Sequence, residues 1–523
     1  MTDAYSVATQ TLRVLLPEFL LILTATAMMT AGAFVRLPRR VWAAASAGAL
    51  VLAIGALILL RHTVTDPYSA VALNDPLSGY ARLFLLLTGL ILLAFAHDQV
   101  DDARAAEFFG SLLMIHAGAM LVASANEMVF LFAGLELVSI PTYLLLYLPR
   151  RNAATREAAT KYFFLSIFSS ALLLFGLAYF YGLTGVTNFK ALSYLLHAEG
   201  ASSAPRVLGL IAVLFVMAGL GFRVAAVPFH FYAPDVYQGS PIDVTAMLAW
   251  VPKAIGFLAM LRALTAVVGG LSWSSKAMEL AWILAAVTMT LGNAVALLQD
   301  NLKRLFAYSS IAHAGYLMVG VTVAFRQGPG LKSAFLGGEG VLFYLVAYAL
   351  MTLGAFGVIL ALDTPERPVE KVDDLSGLAW TNPALALAMG VCLFSLAGVP
   401  PLAGFLGKFW IFASALTSDT PDGPAVLRWL AILGVLNAAA GAYYYLRIVV
   451  TMVFRPAATP PLQPRTPWPT AVAVGACATL SLLLGLYARP VLLAARESAV
   501  AAIAHPDPLP AGAPPASVTS AAR

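Results

Sequence analysis

Long apolar runs, each near the length of one membrane crossing and separated by short polar breaks, organise the chain. A spanning helix needs roughly 20 apolar residues. That criterion predicts about fourteen helices, at 14–35, 41–60, 77–96, 108–125, 128–148, 162–183, 207–232, 241–265, 276–298, 305–324, 340–362, 383–414, 427–453 and 468–488. The runs are long and nearly continuous rather than short and alternating, which excludes a barrel of strands. The break at 125–128 is slight, with only Asn126 and Glu127 interrupting the pattern. The runs 207–232 and 383–414 exceed a simple crossing, which predicts tilt or a break in each.

Composition agrees with this pattern. The 523 residues are 60% hydrophobic and 11% charged, and mean hydropathy is +0.84. Soluble domains carry roughly a quarter charged residues, so this chain cannot cover a water-facing surface of ordinary size. The fold class is an all-α polytopic membrane protein with the lipid bilayer as its solvent. The net charge of +5 does not indicate nucleic acid, because the basic residues sit in short loops and form no contiguous face. Arg36, Arg39, Arg40, Arg150, Arg151, Arg156, Lys161, Lys303 and Arg304 all follow odd-numbered predicted helices. That bias places those loops inside and the N-terminus outside, although Arg326 and Lys332 oppose it.

Cys392 and Cys477 lie in apolar runs with no CxxC spacing, so haem or iron–sulfur ligation is not expected. Asp3 and the lack of a basic leading segment mark the first run as a true span rather than a cleaved signal. The stretch 489–523, rich in Ala and Pro, reads as a disordered tail. No soluble catalytic domain is predicted, since the loops 184–206 and 363–382 are too short.

Ionisable residues inside the runs carry the chemistry. A charge at mid-bilayer costs roughly 2.5–3.5 kcal/mol on insertion scales. Glu136 in LELVSIPTY, Arg223 in GLGFRVAAVPFH, Lys253 in AWVPKAIGF, His313 in YSSIAHAGY and Lys408 in GFLGKFW all lie within predicted helices. Arg262, Lys303 and Arg447 are expected to snorkel to the interface. Lys253 is not, because about 18 Å of apolar helix flanks it on either side. His313 and His230 read equally as hydrogen-bonded structural residues or as proton carriers. A buried lysine whose neighbour changes charge can be loaded and unloaded with a proton, the minimal element of a pump. Pro228 cannot donate to the carbonyl of Val224, and Pro400 and Pro401 free those of Leu396 and Ala397. Two interrupted helices in separate halves point to a transporter built from inverted repeats.

These stretches carry a specific resemblance. LELVSIPTYLL, GLGFRVAAVPFHFYAPDVYQGSP, NLKRLFAYSSIAHAGYLMVG, YLVAYALMTLGAFGV and FSLAGVPPLAGFLGKFWIF are similar to the subunit N family of the bacterial respiratory NADH–quinone oxidoreductase (complex I), an antiporter-like membrane subunit. The resemblance runs from about 126 to 450, and PDVYQGSP favours subunit N over its sister subunits. It implies two inverted five-helix repeats at 106–270 and 271–455, preceded by helices in 1–105 and followed by a last helix in 456–488. It implies broken seventh and twelfth helices, no cofactor or metal in this chain, a bacterial inner-membrane location, and the other membrane-arm subunits of complex I as partners. Quinone reduction elsewhere in the complex would drive protons through Glu136, Lys253, His313 and Lys408. Where the family pattern leads one to expect lysine, this chain has Arg223. Arginine stays protonated, so Arg223 is expected to act as a fixed charge beside Glu136, with His230 as a further candidate carrier.

Alternatives remain within and beyond that superfamily. A subunit of a multisubunit cation/proton antiporter, or a hydrogenase-linked relative, would share the fold and purify with other partners. A non-transporting scaffold would tolerate loss of Lys253. An independent sugar or drug transporter would need a substrate cavity that the sequence does not identify.

Overall fold

A computed structural model describes residues 2–148, 153–197, 206–264, 268, 274–327, 334–364, 367–418, 426–457, 462, 464 and 466–503. Helices follow one another as α1 Thr2–Val14, α2 Leu16–Phe34, α3 Arg39–Leu59, α4 Pro76–Ala96, α5 Ala105–Ser124, α6 Met128–Tyr147 and α7 Ala153–Thr184. Next come α8 Phe189–His197, α9 Arg206–Val224, α10 Tyr232–Gly239, α11 Ile242–Ala263, α12 Ser274–Ala296, α13 Leu302–Arg326 and α14 Gly337–Leu362. The chain closes with α15 Leu378–Thr381, α16 Pro383–Ala397, α17 Ala403–Thr417, α18 Val426–Phe454, α19 Trp468–Leu486 and α20 Arg489–Ile503. Among the described residues 13 helices are long and apolar enough to cross a membrane, so the chain is a multi-pass helical membrane protein. The halves α16 and α17, of 15 residues each, are about 22 Å long and too short to cross singly.

Burial sorts the helices. Every residue of α11 and α14, and nearly every residue of α13, is buried. These three are apolar on all sides, as a helix enclosed by others must be. Outer helices such as α3, α18 and α19 instead turn large apolar side chains outward, among them Leu52, Leu59, Trp429, Leu436 and Leu486. Lys253 and His313 thus lie on central helices because those helices have no solvent-facing side to spare. Close helix contact uses small residues where apolar burial from lipid gives little drive. A Cβ on Gly118 of α5 would meet the carbonyl of Gly134 in α6 at 2.8 Å. One on Gly292 of α12 would lie 2.6 Å from the backbone nitrogen of Ala312 in α13.

Both long runs are interrupted. α9 stops at Val224, four residues before Pro228, and Ala225 takes the left-handed conformation (φ 57°). The amides of Ala225 and Ala226 then turn back to the carbonyls of Phe222 and Gly221 at 3.0 and 2.8 Å. α16 ends at Gly398, also left-handed (φ 90°). α7 begins nine residues ahead of the predicted 162, because AATREAATK is polar yet helix-favouring and Lys161 pairs with Glu157 one turn earlier at 2.7 Å.

Two expectations need correction. The tail at 489–523 is not disordered at its start: 489–503 form α20, and residues 504–523 lie outside the described ones. Ala495, Ala499 and Ala502 form a buried stripe on it, and Ser498 donates to the carbonyl of Pro76 at 3.1 Å. Arg262 does not snorkel. It is buried, binds Asp75 at 2.5 and 2.6 Å, and donates from Nε and Nη2 to the carbonyl of Ala123 at 3.0 and 2.9 Å. Asp75 also caps α4 through the amide of Ser78 at 2.9 Å, so one ion pair ties the ends of α4, α5 and α11. Arg447 fits the snorkelling expectation better, pairing near the end of α18 with the exposed Asp300.

Burial opposes the charge on Asp75, but the Arg262 guanidinium and the cap outweigh it and hold the carboxyl down at about 2. Its folded value therefore lies below its unfolded one, near 3.8. The stability it contributes is fully present above about pH 4 and is lost as pH falls towards about 2. Asp75→Asn is expected to cost about 2–3 kcal/mol at neutral pH, because it leaves Arg262 buried without its carboxylate. Thermal melting of the detergent-purified protein should show that deficit at pH 7 and a narrowing gap from wild type as pH falls from about 4 towards 2.

Candidate functional site

The sequence-selected residues fall into three hydrogen-bonded groups. In the first, Arg223 occupies the last turn of α9 with its guanidinium buried, and Glu136 of α6 lies opposite at 3.1 Å. Ser170 of α7 donates to the same carboxylate oxygen at 2.5 Å and accepts from Arg223 Nη2 at 3.1 Å. Arg223 Nη1 bonds Ser139, whose hydroxyl donates in turn to the Leu135 carbonyl at 2.8 Å. Ser170 thus touches both ends of the ion pair, and Ser139 the guanidinium alone. The pair is asymmetric: the Arg223 side chain is 1% exposed and that of Glu136 25%.

The second group surrounds Lys253 at the middle of α11. Its ammonium donates to Ser310 of α13, and that hydroxyl also receives Tyr348 of α14 at 2.8 Å and lies 3.3 Å from Tyr237 of α10. Among the described residues no carboxylate lies within ion-pair reach of Lys253. Gly256, one turn on, packs against α9, where an added Cβ would meet Cβ of Arg223 at 3.2 Å. The first two groups therefore adjoin through the α9–α11 contact.

The third group centres on His313, one turn beyond Ser310 on α13. Nδ1 faces Tyr344 at 2.5 Å and Nε2 faces Tyr445 of α18 at 2.8 Å. Tyr445 also bonds Ser309. With both nitrogens partnered by hydroxyls, either tautomer is satisfied. Beyond it, Lys408 of α17 donates to the carbonyls of Leu396 and Ala397 at 2.8 and 3.2 Å. These are the carbonyls that Pro400 and Pro401 cannot satisfy, and the ammonium sits at the negative end of α16. Its nitrogen is 5.2 Å from the ring centre of Tyr316, which in turn makes an edge contact with the His313 ring at 5.5 Å.

The structure thus brings Glu136 together with Arg223, sets Lys253 against the helix that carries His313, and reaches Lys408 through Tyr316. It does not bring in His230, which lies half-buried in the turn before α10 with no hydrogen bond or ion pair to Glu136, Arg223 or Lys253. Sequence reasoning missed the hydroxyl partners Ser139, Ser170, Ser310, Tyr344 and Tyr445. Helical spacing offered one signal: Ser139 and Ser310 stand three residues from Glu136 and His313, on the same helix face. It also missed Glu18 of α2 and Arg82 of α4, both buried and in contact at 2.8 Å, although Arg82 is the one charge inside its run. Asp235, from the PDVYQGSP stretch, receives Lys161 of α7 at 2.6 Å and Arg304 of α13 at 2.8 Å, which fastens α10 between those helices. No cluster of His, Cys, Asp and Glu suited to a metal occurs among the described residues.

This membrane bundle, with its interrupted helices and its buried cations met by hydroxyls and carbonyls, has an antiporter-like membrane fold. Residues 125–434 match the family model described as NADH:quinone oxidoreductase/Mrp antiporter, transmembrane. A subunit N of NADH-quinone oxidoreductase from Trichlorobacter lovleyi is 38% identical over 93% of this chain and 96% of its own length. A chain of respiratory complex I from Thermus thermophilus superposes with a TM-score of 0.74 at 33% identity, covering 91% of this chain and 98% of that one. A chain of the Mrp complex from Dietzia sp. superposes at 0.80 with 20% identity, covering 95% of this chain and 97% of that one, a likeness of fold. The chain belongs to the NADH-quinone oxidoreductase subunit N family.

The asymmetric burial of the first ion pair makes a prediction. Removing Glu136 leaves an enclosed guanidinium that cannot shed its proton, whereas removing Arg223 leaves a less enclosed carboxyl group that can become neutral by taking one up. Glu136→Ala should therefore destabilise by about 3 kcal/mol and Arg223→Met by less. Thermal melts of the two purified variants would reverse that order if the burial argument were wrong.

Proposed function

We propose that this chain moves protons across the membrane as a membrane-arm subunit of NADH–quinone oxidoreductase, through Glu136, Lys253, His313 and Lys408, with Arg223 as a fixed charge. The observation that carries the reading is Lys253, a lysine at the centre of a wholly buried helix whose ammonium is met by a serine hydroxyl and, among the described residues, no carboxylate. Such an ammonium has no counter-charge beside it, so its proton responds to charge arriving nearby. When Glu136 is ionised it neutralises Arg223. When Glu136 takes up a proton, the Arg223 charge is uncompensated and repels the proton on Lys253 towards Ser310 and Tyr348. Hydroxyls that both accept and donate can pass that proton towards His313, and Lys408, once it has released its own proton at the α16 terminus, takes up the next. Arg223 gives up no proton in this sequence, and its role needs only its charge.

The reading places the protein in the bacterial inner membrane, with its N-terminus outside and the other membrane-arm subunits as partners. Quinone chemistry belongs to those partners, and this chain supplies no redox centre. Two repeats, 106–270 and 271–455, fit the parallel between the halves. In each, the first two helices pack closely through glycine and the fourth crossing is the interrupted one (α9 with α10, α16 with α17).

Lys253→Ala and Lys408→Ala should each leave the amount of assembled complex unchanged. Proton pumping and coupled quinone-dependent NADH oxidation in membrane vesicles should fall roughly tenfold. Wild-type pumping by Lys253→Ala would reduce the chain to a scaffold. Arg223→Lys should retain pumping and Arg223→Gln should lose it; equal pumping by both would remove the fixed-charge role.

A further inference from the structure

Glu339 is a buried carboxylate that the line from Glu136 to Lys408 does not use. It sits in the first turn of α14 with a side chain 5% exposed. Burying a carboxylate costs several kcal/mol unless charge and hydrogen bonds meet it. Here both oxygens are engaged, on opposite sides. Oε1 accepts from the indole nitrogen of Trp410 at 3.0 Å, and Oε2 faces Arg496 at 3.3 Å. Trp410 belongs to α17, two residues after Lys408. Arg496 belongs to α20, is 40% exposed, and also donates to the carbonyl of Ala334 at 3.0 Å. Phe335 closes the same corner with its ring edge-on to Trp410 at 5.5 Å.

The half-helix α17 needs such a hold. It starts at Leu402 with no side-chain cap. Near its start it is fixed by Lys408 on the α16 carbonyls and by the amide of Gly404 on Ser395 at 3.0 Å. Halfway along it is fixed by Trp410, and just past its end by Ser418, which receives Gln327 at 3.1 Å. α20 keeps its own seat independently of Arg496, through its alanine stripe and Ser498.

We propose that α20 latches the half-helix that carries Lys408: Arg496 holds Glu339, Glu339 holds Trp410, and this chain of contacts keeps the Lys408 ammonium on the carbonyls of Leu396 and Ala397. Arg496, Glu339 and Trp410 are positioning residues, acting through Lys408. The inference rests on the relay reading of Lys408 given above.

The test uses the full complex in native membranes, with complex content and proton pumping measured together. Arg496→Ala and Glu339→Gln should assemble normally and pump roughly threefold more slowly. Arg496→Lys should restore most of the rate, and Trp410→Phe, which keeps the ring but not its donor, should lose a similar share. The deciding readout is the double variant Arg496→Ala with Lys408→Ala, which should pump no more slowly than Lys408→Ala alone. Wild-type pumping by both Arg496→Ala and Trp410→Phe overturns the latch. So does a further loss in the double variant, since a merely structural strap would act whether or not Lys408 is present. Wild-type pumping by Lys408→Ala overturns the relay reading itself, and the latch with it.

Discussion

A charge inside an apolar bundle must be met by the protein, because no water-facing side remains on the helices at its centre. In this chain the same constraint is answered in three ways. Arg262 and Asp75 answer it with a two-point ion pair and become a clamp between helix ends. Arg223 and Glu136 answer it with an ion pair padded by two serines. Lys253 and Lys408 have only neutral dipoles, one a hydroxyl and the other a pair of carbonyls. The gradation runs from charges held by a full counter-charge to charges held by neutral dipoles. The two-point pair holds Arg262 and Asp75 charged; a neutral dipole supports the charge of Lys253 or Lys408 without fixing it, and Glu136, bound to Arg223 through a single oxygen, stands between.

Interrupted helices follow from the same requirement. A continuous helix spends its carbonyls on itself and has none to offer a lysine. The proline pair at 400 and 401 takes two amides out of that ladder, and the freed carbonyls become the site of Lys408. The break before Pro228 ends α9 one residue past Arg223 and makes room for α10, whose Tyr237 joins the hydroxyl cluster on Ser310. The irregular backbone therefore builds the site as much as the charged side chains do.

This also explains how much could be read from sequence. Membrane class, the spans, both breaks and the carbonyls freed at Leu396 and Ala397 were legible, because hydropathy and proline act locally along the chain. The mate of Arg262 was not, since Asp75 lies 187 positions away, and Glu136, 87 positions from Arg223, was expected beside it only through the family resemblance. Nothing local distinguishes an arginine that snorkels from one that finds a buried carboxylate. The hydroxyl partners were hidden for another reason, since serine and tyrosine are common in membrane helices and a run of hydropathy passes over them. α20 was obscured by its neighbour: the prolines from 506 onwards coloured a stretch whose alanines at 495, 499 and 502 already share one helical face.

The enclosure of α11 bears on how the protein is made. Each span is threaded into the bilayer in chain order, so α11 arrives carrying Lys253 and Arg262 before α13 and α14 exist. Asp75 and the end of α5 are already in place to receive Arg262, but Ser310 and Tyr348 are still to be synthesised. During that interval Lys253 has none of its final partners, and α11 must either wait beside its earlier neighbours or be sheltered by the insertion machinery. Lys253, met in the finished fold by a serine hydroxyl, is thus a charge that its helix carries into the bilayer before that partner exists.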